Sequence, residues 1–447
     1  MTYSRRDAFL NDTKIVRAWY MYDWANSAYN LVITSTIFPA YYTAITTLKQ
    51  GDKVVSDKVS FFGLEFTNTV LFDYAAAAAY LVIALISPIL SSIADYKGNK
   101  KAFMRSFCYL GSLACCGLYF FTPQAVETGI IFFIIAAIGY CGSLVFYNAY
   151  LPEIATPADR DRVSAQGFSY GYIGSVILQV ICFVFVLGKD FFGITAAQGS
   201  RISFVLVGIW WFAFAHIPLL KLPKGQPQSQ HREHNIFTNG FRELQKVWQQ
   251  IKKLAVLRIY LGAFFLYSMG VQTVMLAATI FASKEVGMKD EELIATILII
   301  QLVAILGAWL IARLSERFGN LQVLLFVLFI WVAVCIAAYY IGTTTQFYIV
   351  AAVVGLVMGG IQSLSRSTYA KLMPVTKDTA SFFSFYDVTE KIAIVIGMFS
   401  FGFIESMTGN MRNSIIALIS FFVAGALILY LAIRKAKHAE LAINKVN

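Results

Sequence analysis

The sequence predicts an all-α membrane protein of twelve transmembrane helices, arranged as two pseudo-symmetric six-helix bundles. Of its 447 residues, 58% are hydrophobic and only 14% are charged, which is more apolar surface than a soluble core of ordinary shape can bury. A helix needs about 20 apolar residues to cross roughly 30 Å of hydrocarbon. Such stretches lie near 18–45, 70–94, 103–122, 126–151, 165–187, 200–220, 257–282, 291–313, 321–341, 346–372, 380–405 and 411–433.

Short motifs at corresponding connections indicate that the two halves are related. IADYKGN at 93–99 returns as LSERFGN at 314–320, and YNAYLP at 147–152 returns as YAKLMP at 369–374. A duplicated six-helix unit is typical of secondary transporters, whose substrate site lies between two halves that move against each other. We therefore predict an N-terminal bundle at 1–220, a C-terminal bundle at 257–433 and a substrate site at the seam between them.

The net charge of +11 follows the expected orientation in the membrane. If the N-terminus lies inside, most of the 36 Lys and Arg residues fall in inward segments, including the tail 434–447, as the positive-inside rule requires. Residues 1–17 contain no apolar signal-peptide core, so we expect no cleaved leader. The charge thus indicates a multi-pass protein of the cell (inner) membrane with both termini cytoplasmic, in contact with anionic lipid and not with nucleic acid.

The segment 221–256 separates the two halves and contains a second periodic feature. Apolar residues recur at steps of three and four, namely Phe237, Phe241, Leu244, Trp248, Ile251 and Leu254. This pattern predicts an amphipathic helix on the inner membrane surface that tethers the bundles, with a partner-binding helix as the alternative. The first half also carries an extra outer loop at 46–68.

Neither the cysteines nor the histidines form a metal or disulfide pattern. The six cysteines fall within spans, where we expect them to pack as small apolar residues. The four histidines lie in the linker, in the tail or, for His216, near the inner end of a span. No nucleophile elbow, metal-ligand set or phosphate-binding loop is recognisable. We therefore expect no enzyme activity, no cofactor and no metal.

The duplicated connection resembles the signature of the major facilitator superfamily, in which an acidic residue, a glycine and basic residues link the second and third spans. The matching residues are Asp95, Gly98, Lys100 and Lys101 in the first copy and Glu316, Arg317 and Gly319 in the second. Ser91 and Tyr96 stand where the family usually has glycine and a basic residue. The resemblance implies gating, because ion pairs to helix ends on the inner face must break when that face opens.

Three further stretches are similar to the vacuolar amino-acid effluxer branch of that superfamily, whose bacterial relatives are permeases of unknown substrate. They are YDWANSAY at 22–29, GGIQSLSRS at 359–367, and the segment 382–391 with Tyr386, Asp387 and Lys391. This resemblance implies a carrier of amino acids or related solutes.

Ionisable and amide side chains within spans are candidates for the substrate or coupling site, since such residues are costly in hydrocarbon and usually face a cavity or one another. The candidates are Asp23, Asn26, Asn30, Gln362, Arg366, Asp387, Glu390 and Lys391. Asp23 lies about 6 to 9 Å inside the inner end of its span and begins a polar stripe with Ser27, Asn30 and Thr34. Lys391 is expected near the midplane, because a long apolar run follows it.

Several roles are open for these residues. Arg366 reaches a depth comparable to Asp387 and Glu390 on the next span, so a mutual ion pair is geometrically possible. Arg366 or Lys391 could bind a substrate carboxylate while Asp23 receives an ammonium group, which suits a zwitterion. Asp23, Asp387 or Glu390 could instead carry a coupling proton. Asp23 and Arg366 could also be interfacial helix-end anchors.

Two residue classes have simpler expected roles. Aromatic residues near span ends are expected in the interfacial belt, namely Trp19, Tyr20, Tyr41 and Tyr42. Small residues are expected where helices approach closely across the moving interface, namely Gly167, Gly171, Gly174 and Gly397.

These features predict a secondary active transporter that moves a small polar solute, an amino acid or related zwitterion, by alternating access. Proton-coupled and passive transport are both open. The alternative is a transporter-fold sensor or scaffold without solute flux. The expected partners are a small-molecule substrate, protons if transport is coupled, and membrane lipids, and the expected state is a monomer.

Overall fold

The computed structural model describes residues 9–50, 53–225 and 236–444. Helices form almost all of it. In chain order they are α1 (Thr13–Tyr29), α2 (Ile37–Thr46), α3 (Asn68–Lys97), α4 (Lys100–Gly117), α5 (Val126–Asn148), α6 (Leu151–Ile154), α7 (Arg160–Leu187), α8 (Lys189–Phe192), α9 (Ala196–Lys221), α10 (Ile236–Lys253), α11 (Ala255–Phe281), α12 (Asp290–Phe318), α13 (Asn320–Tyr340), α14 (Thr344–Leu372), α15 (Thr379–Thr408) and α16 (Met411–Asn444).

Ten of the described helices are each long and apolar enough to cross a membrane. The two other predicted spans are the first and the third, and each falls short for a physical reason. The first is divided into α1, a π-helical segment Asn30–Ser35 and α2. The third, α4, has only 18 residues and carries Lys100, Lys101 and Arg105 near its start.

The π-helical segment of the first span keeps its backbone satisfied through side-chain hydroxyls. Ser35 Oγ donates to the Asn30 carbonyl at 3.0 Å, and Thr36 Oγ1 donates to the Leu31 carbonyl at 2.7 Å. Backbone groups at membrane depth must find partners within the protein. The interruption is therefore compatible with a span that crosses the membrane.

The outer loop between the first two spans contains two small antiparallel hairpins. Strands β1 (Leu48–Gln50) and β2 (Lys53–Ser56) form one, and β3 (Lys58–Phe61) and β4 (Leu64–Thr67) form the other. In the second hairpin Phe62 and Gly63 have φ angles of 48° and 81°, as a tight two-residue turn with two positive φ angles requires. The extra residues predicted at 46–68 are thus folded.

The two sets of six spans pack mainly among themselves. In the first half α1 lies against α7 and α9, and in the second α12 lies against α14 and α11 against α16. Stacked aromatic rings fill both cores, such as Phe38 on Phe133 at 4.9 Å and Trp331 on Phe422 at 5.3 Å. Across the seam α7 packs against α12 and α14, and α15 packs against α3 and α5.

We call the inner face the end of the molecule that carries the connections at 98–99, 155–159 and 373–378, which the charge pattern predicts to be cytoplasmic. The linker helix α10 lies at this face and packs against both α3 and α15. Val247 and Ile251 are buried, and Trp248 stacks on Phe385 with ring centroids 5.7 Å apart. Residues 226–235 of the predicted linker lie outside the described residues, and the bundle boundaries remain predictions.

The four small residues do mark close helix approaches, but mainly within each half. A Cβ atom at Gly174 of α7 would lie 2.7 Å from the Trp24 carbonyl of α1, and one at Gly397 of α15 would lie 2.6 Å from the Met269 carbonyl of α11. Gly167 is also close to the second half, because its Cβ would lie 3.0 Å from Arg366 Nη2. The spacing of small residues indicates close packing, but it does not identify the partner helix.

Replacing Gly397 by alanine should destabilise the protein, whereas the same change at Gly402 on α15 should not. The new methyl group at Gly397 would be 2.5 Å from Thr273 Oγ1 and 2.6 Å from a backbone carbonyl, and overpacking of this kind costs about 1–3 kcal/mol. Nothing lies within 4 Å of the corresponding position at Gly402, so helix propensity should stabilise that variant by up to about 1 kcal/mol. Melting temperatures of the two variants in detergent would show the difference. Equal shifts of the melting temperature in both variants would contradict the packing argument.

Candidate transport site and inner gate

A polar cavity of about 160 Å³ lies between the two halves. Its wall contains every predicted substrate or coupling residue except Asp387, namely Asp23, Asn26, Asn30, Gln362, Arg366, Glu390 and Lys391. Asp387 lies one helical turn inward of Lys391 on α15 and forms an ion pair with it. Residues selected because they are costly in hydrocarbon therefore gather around one cavity.

Thr34 is the member of the predicted polar stripe that is not part of the described cavity wall. Asp23, Ser27 and Asn30 line the cavity. Beyond them the π-helical segment Asn30–Ser35 holds more residues per turn than an α-helix, so the residues after Asn30 rotate off the stripe. The expectation for Thr34 was wrong because it assumed a regular α-helix through the whole span.

The buried ion pair between Asp23 and Arg366 joins the two halves at the inner side of the cavity. Nη1 and Nη2 of Arg366 each donate to Asp23 Oδ2 at 3.3 Å, and the two residues are 3% and 5% exposed. The structure therefore pairs Arg366 with α1 and not with Asp387 or Glu390 on α15. Equal depth in the membrane made the latter pairing possible, but the face of α14 that carries Arg366 points to the first half.

All five N–H groups of the Arg366 guanidinium have acceptors. Besides the two bonds to Asp23, Nε donates to Ser164 Oγ at 2.9 Å, Nη2 to the Ser164 carbonyl at 2.9 Å, and Nη1 to Asn148 Oδ1 at 3.2 Å. A guanidinium has only five such donors. In this state Arg366 thus has no donor left for a substrate. Its hydrogen bonds instead join the second half to the first.

Aromatic rings enclose the guanidinium of Arg366. Its central carbon lies 4.2 Å from the ring centroid of Phe168 and 4.7 Å from that of Trp19, distances at which cation–π attraction is favourable. The Tyr147 hydroxyl donates to Asp23 Oδ2 at 2.7 Å, and the Tyr147 ring stacks on Trp19 at 4.5 Å. The aromatic rings therefore hold both charged partners in place.

The structure buries the four aromatic residues that were predicted to lie in the interfacial belt. Trp19, Tyr20, Tyr41 and Tyr42 are at most 5% exposed and pack inside the protein. The hydroxyl of Tyr41 donates to the Phe121 carbonyl at 2.6 Å, and that of Tyr42 to the Asn68 carbonyl at 2.8 Å. Position near a span end indicated the membrane interface, but it did not reveal which side of the helix faces the core.

A second charged cluster on α15 faces the cavity from the other half. Lys391 Nζ lies 2.9 Å from Glu390 Oε2 and 3.4 Å from Asp387 Oδ1, and Gln272 Nε2 donates to Glu390 Oε1 at 3.0 Å. Asp387 Oδ2 is buried and has no hydrogen-bond partner among the described residues. With two carboxylates and one ammonium, the cluster carries one uncompensated negative charge when every group is ionised.

Asp95, a predicted gating residue, binds the start of α15 at the inner face. Asp95 Oδ2 accepts from the Ser381 amide and hydroxyl, both at 2.7 Å, and Asp95 Oδ1 accepts from the Ala380 amide at 3.2 Å. Because α15 begins at Thr379, these amides belong to its first turn, where donors are free and the helix dipole favours an anion. Lys100 adds an ion pair to Glu153 and a 2.9 Å bond to Thr379 Oγ1.

The remaining residues of the first signature copy act within the first half. Lys101 donates to the carbonyl groups of Leu220 and Leu222 at the end of α9, at 3.3 and 2.7 Å. Gly98 has a φ angle of 62°, which ends α3 in the left-handed conformation that glycine adopts easily. These two residues fix the ends of α3, α4 and α9 relative to one another.

The second signature copy departs from the gating prediction. Glu316 and Arg317 are exposed, and their described contacts include no residue of the first half. Gly319, with a φ angle of 86°, makes the turn between α12 and α13. The neighbouring residues Ser315 and Asn320 make the contacts to the first half instead. The carboxylate that accepts their hydrogen bonds belongs to the first half.

That acidic partner is Asp161 in the first turn of α7, a residue that the sequence analysis missed. Asp161 accepts from Ser315 Oγ at 3.1 Å and from Asn320 Nδ2 at 2.7 Å, and it forms an ion pair with Lys371 at the end of α14. Arg160 Nη1 donates to the Ala370 carbonyl at 2.8 Å. The repeated YAKLMP motif, which contains Lys371, was the signal that could have pointed to this cluster.

The connection before α7 is anchored by the N-terminal segment. Asp159 Oδ2 accepts from Thr156 Oγ1 at 2.6 Å and from Asn11 Nδ2 at 2.7 Å. These hydrogen bonds, that of Thr156 first, hold the pKa of Asp159 below its ordinary value. The connection that precedes Arg160 and Asp161 is therefore rigidly positioned.

The hydrogen bonds described between the two halves lie at the cavity wall or between the cavity and the inner face. The outermost of them joins the Tyr172 hydroxyl to Gln362 Oε1 at 3.0 Å. Further inward come the Arg366 contacts, a 2.7 Å bond from Ser164 Oγ to the Ser363 carbonyl, and the Asp95 and Asp161 clusters. The structure is therefore closed toward the inner face.

Two halves of membrane-spanning helices around a polar cavity that is closed toward the inner face define a membrane transporter of the major facilitator class. A similar solved structure is that of a Major Facilitator Superfamily transporter, FucP, in the outward conformation. The TM-score is 0.69 at 15% sequence identity, and the match covers 94% of this chain and 98% of that one. At this level of identity the likeness shows the fold, which confirms the predicted fold class.

Sequence comparison then identifies the family. The family model described as "Vacuole effluxer Atg22 like" matches residues 11–441, so the chain belongs to that family of transporters and is not an enzyme. It is 32% identical to the uncharacterized MFS-type transporter YxiO of Bacillus subtilis, over 93% of this chain and 94% of that protein. It is 26% identical to autophagy-related protein 22 of Kluyveromyces lactis, over 94% of each.

Removing one partner of the Asp23–Arg366 pair should cost more stability than removing both. A buried charge left alone costs about 3–5 kcal/mol, so Asp23→Asn and Arg366→Gln should each lower the melting temperature strongly, and the double variant should recover part of the loss. Arg366→Lys should not restore the wild-type value, because lysine lacks the planar fork and the stacking. The exposed pair Lys58–Glu65, at 3.9 Å, serves as the control and should show coupling below about 1 kcal/mol. Additive effects at the buried pair would contradict its assigned role.

Asp161→Ala should open the inner face, whereas Glu316→Ala should not. Cys141 lines the cavity, so a variant that keeps it as the sole cysteine reports access when a membrane-impermeant thiol reagent is added from the inner side. Loss of the three partners of Asp161 should raise the labelling rate by up to about a hundredfold, because each lost bond shifts the closed state by about 1 kcal/mol. Equal labelling in both variants would contradict a gating role of the Asp161 contacts.

Proposed function

We propose that this protein carries small zwitterionic amino acids across the cell membrane by alternating access, coupled to the movement of protons. The observation that supports this most directly is the pair of opposite charges that one cavity presents side by side. Lys391 and Glu390 both line the cavity, and an amino acid brings one carboxylate and one ammonium group. A cavity with charges of both signs suits such a solute better than an ion of one sign.

The free donors and acceptors assign the two ends of the solute. Arg366 has no donor left in this state, and the charge of Asp23 is already balanced, because its Oδ2 accepts from Arg366 Nη1 and Nη2 and from the Tyr147 hydroxyl. Lys391 contacts two carboxylates and has three N–H groups, so one donor can receive a substrate carboxylate. Glu390, with 22% of its side chain exposed, is the carboxylate placed to receive the ammonium group. This assignment replaces the sequence-based suggestion of Asp23.

Amide and hydroxyl groups complete the polar wall. Asn30, Gln272, Gln301 and Ser268 line the cavity together with the charged residues. Such groups can hydrogen-bond a solute without adding net charge. The narrow polar site is therefore suited to a small molecule, in keeping with the transporter family.

The position of the Asp23–Arg366 pair next to the cavity supports alternating access. Opening the inner face must separate α14 from α1 and α7, and this breaks all the contacts of Arg366 to the first half. The energetic cost is reduced if a solute or a proton replaces the lost partners. We therefore expect substrate binding and the state of the gate to be linked.

The family and the charge pattern support the remaining parts of the proposal. The name of the matching family refers to effluxers, and the bacterial relative is a transporter, which supports a place in the cell membrane. Most Lys and Arg residues fall on the inner segments, which supports cytoplasmic termini. A monomer is sufficient, because one chain supplies both halves of the site.

Purified protein in liposomes should take up labelled amino acids, and an imposed pH gradient should increase the accumulation. Lys391→Ala should abolish uptake, because the substrate carboxylate loses its cation while two carboxylates remain nearby. Asp23→Asn should also reduce uptake by disturbing the gate. Lys284→Ala serves as a matched control, since Lys284 pairs with Glu405 near the outer ends of α11 and α15 at 3.3 Å and should leave uptake unchanged.

A folded wild-type protein that is silent across all amino acids and dipeptides would contradict the proposed substrate. Uptake that ignores the pH gradient would contradict the coupling while it leaves the carrier in place. Equal losses in Lys391→Ala and Lys284→Ala would mean that the cavity cluster has no special role.

A further inference from the structure

We infer that Asp387 is the proton-binding residue of the carrier and that the Glu390–Lys391 pair connects it to the cavity. This inference rests on the proposed function and makes it specific, since three carboxylates are close enough to the cavity to serve. The argument compares the partners of each carboxylate.

Asp23 is the carboxylate least suited to take up a proton in this state. It is held by two N–H groups of Arg366 and by the Tyr147 hydroxyl. Protonation would remove the counter-charge of a buried guanidinium whose other acceptors are neutral, which is costly. Asp23 therefore remains ionised while the inner face is closed.

Glu390 has partners on both oxygens. Oε1 accepts from Gln272 and Oε2 accepts from Lys391, and the side chain lines the cavity, where the substrate ammonium is expected. Both hydrogen bonds favour the ionised form. Glu390 can be protonated transiently, but its hydrogen bonds do not favour the protonated form.

Asp387 differs from both in having a buried oxygen without a partner. Oδ1 lies 3.4 Å from Lys391 Nζ, whereas Oδ2 has no hydrogen-bond partner among the described residues. The residue is 4% exposed and lies outside the cavity wall. A proton on Asp387 would cancel the one uncompensated charge of the cluster without separating Lys391 from Glu390.

The groups that face Asp387 and its partners come from α15, from α11 and from the first half. On α15 they are Glu390, Lys391 and Tyr386. On α11 they are Tyr267 and Gln272, which donates to Glu390. From the first half, Cys141 and Tyr140 of α5 line the same cavity, and the Tyr80 ring of α3 lies 6.0 Å from Lys391 Nζ. The described neighbours therefore provide a single cation for two carboxylates.

The chain of contacts gives the proton a route. A proton from the cavity binds Glu390 Oε2, Lys391 passes one of its own protons to Asp387 Oδ1, and Glu390 returns its proton to Lys391. Lys391 ends as the same ammonium, Glu390 as the same carboxylate, and Asp387 as a carboxylic acid. Asp387 lies four residues nearer the start of α15 than Lys391, about 6 Å closer to the inner face. Opening of that face, which frees the start of α15 from Asp95, is then placed to release the proton inward.

Two transport assays with the full-length protein in liposomes test this assignment. Asp387→Asn should lose accumulation driven by a pH gradient, down to the level of protein-free liposomes, but should retain exchange of labelled for unlabelled amino acid without a gradient. Asp387→Glu should keep gradient-driven accumulation, because it keeps the carboxyl group. Glu390→Gln should lose both activities, because Glu390 receives the substrate. Gradient-driven accumulation in Asp387→Asn, or loss of exchange from folded protein, would overturn the inference.

A measurement without substrate separates this inference from the proposed function. In infrared pH titration of the reconstituted protein, the carbonyl band of a protonated buried carboxylic acid should appear as the pH falls. It should be absent in Asp387→Asn and present in Glu390→Gln. Wild-type protein that shows the band but moves no amino acid would remove the proposed substrate and retain the proton site. A band that persists in Asp387→Asn would place the proton elsewhere, and if Asp387→Asn does not fold, loss of coupling in Asp387→Glu would also reject the assignment.

Discussion

The rest of the structure depends on one buried ion pair that crosses between the halves. Arg366 gives all five of its N–H groups to acceptors on α1, α5 and α7, and aromatic rings shield it from water. In such a place an ion pair adds little net stability, but the loss of either partner is expensive. The pair therefore specifies how the halves meet more than it strengthens the contact. Any conformation in which α14 leaves the first half must supply Arg366 with new partners or water.

The Asp95 and Asp161 clusters at the inner face show that related sequence motifs need not make related contacts. In the first half Asp95 binds the free amides at the start of α15, so the anion is met by a helix dipole. In the second half the same position, Glu316, is exposed, and the anion comes instead from Asp161 of α7, opposite Lys371. Both solutions place one carboxylate at a helix end on the inner face. The duplication thus preserved the location of the charge pairs while the residues changed sides.

The fold could be predicted from the sequence, and all but one of the candidate residues line one cavity, but the pairing among them could not be predicted. Span length, composition and repeated motifs depend on local chemistry, so twelve spans, a linker helix and a polar seam could be predicted. Burial cost selected Arg366 and Lys391 correctly as cavity residues. The partner of Arg366 could not be predicted, because depth follows from position along a helix, whereas the facing direction follows from packing with other helices. For the same reason Asp161 was missed, Thr34 was misplaced by a π-helical turn, and buried aromatic residues were assigned to the interface.

The position of α10 has a mechanical consequence. This helix is connected along the chain to the second half, yet it packs against α3 of the first half as well as α15, and its Trp248 stacks on Phe385 close to the gate. A movement that separates α3 from α15 must therefore shift or tilt α10, or break its contacts with one of these helices. An amphipathic helix such as α10 favours the membrane surface, so the free energy of this displacement is expected to depend on the lipid headgroups that α10 contacts. The membrane would then influence the opening of the inner face as well as solvate the helices.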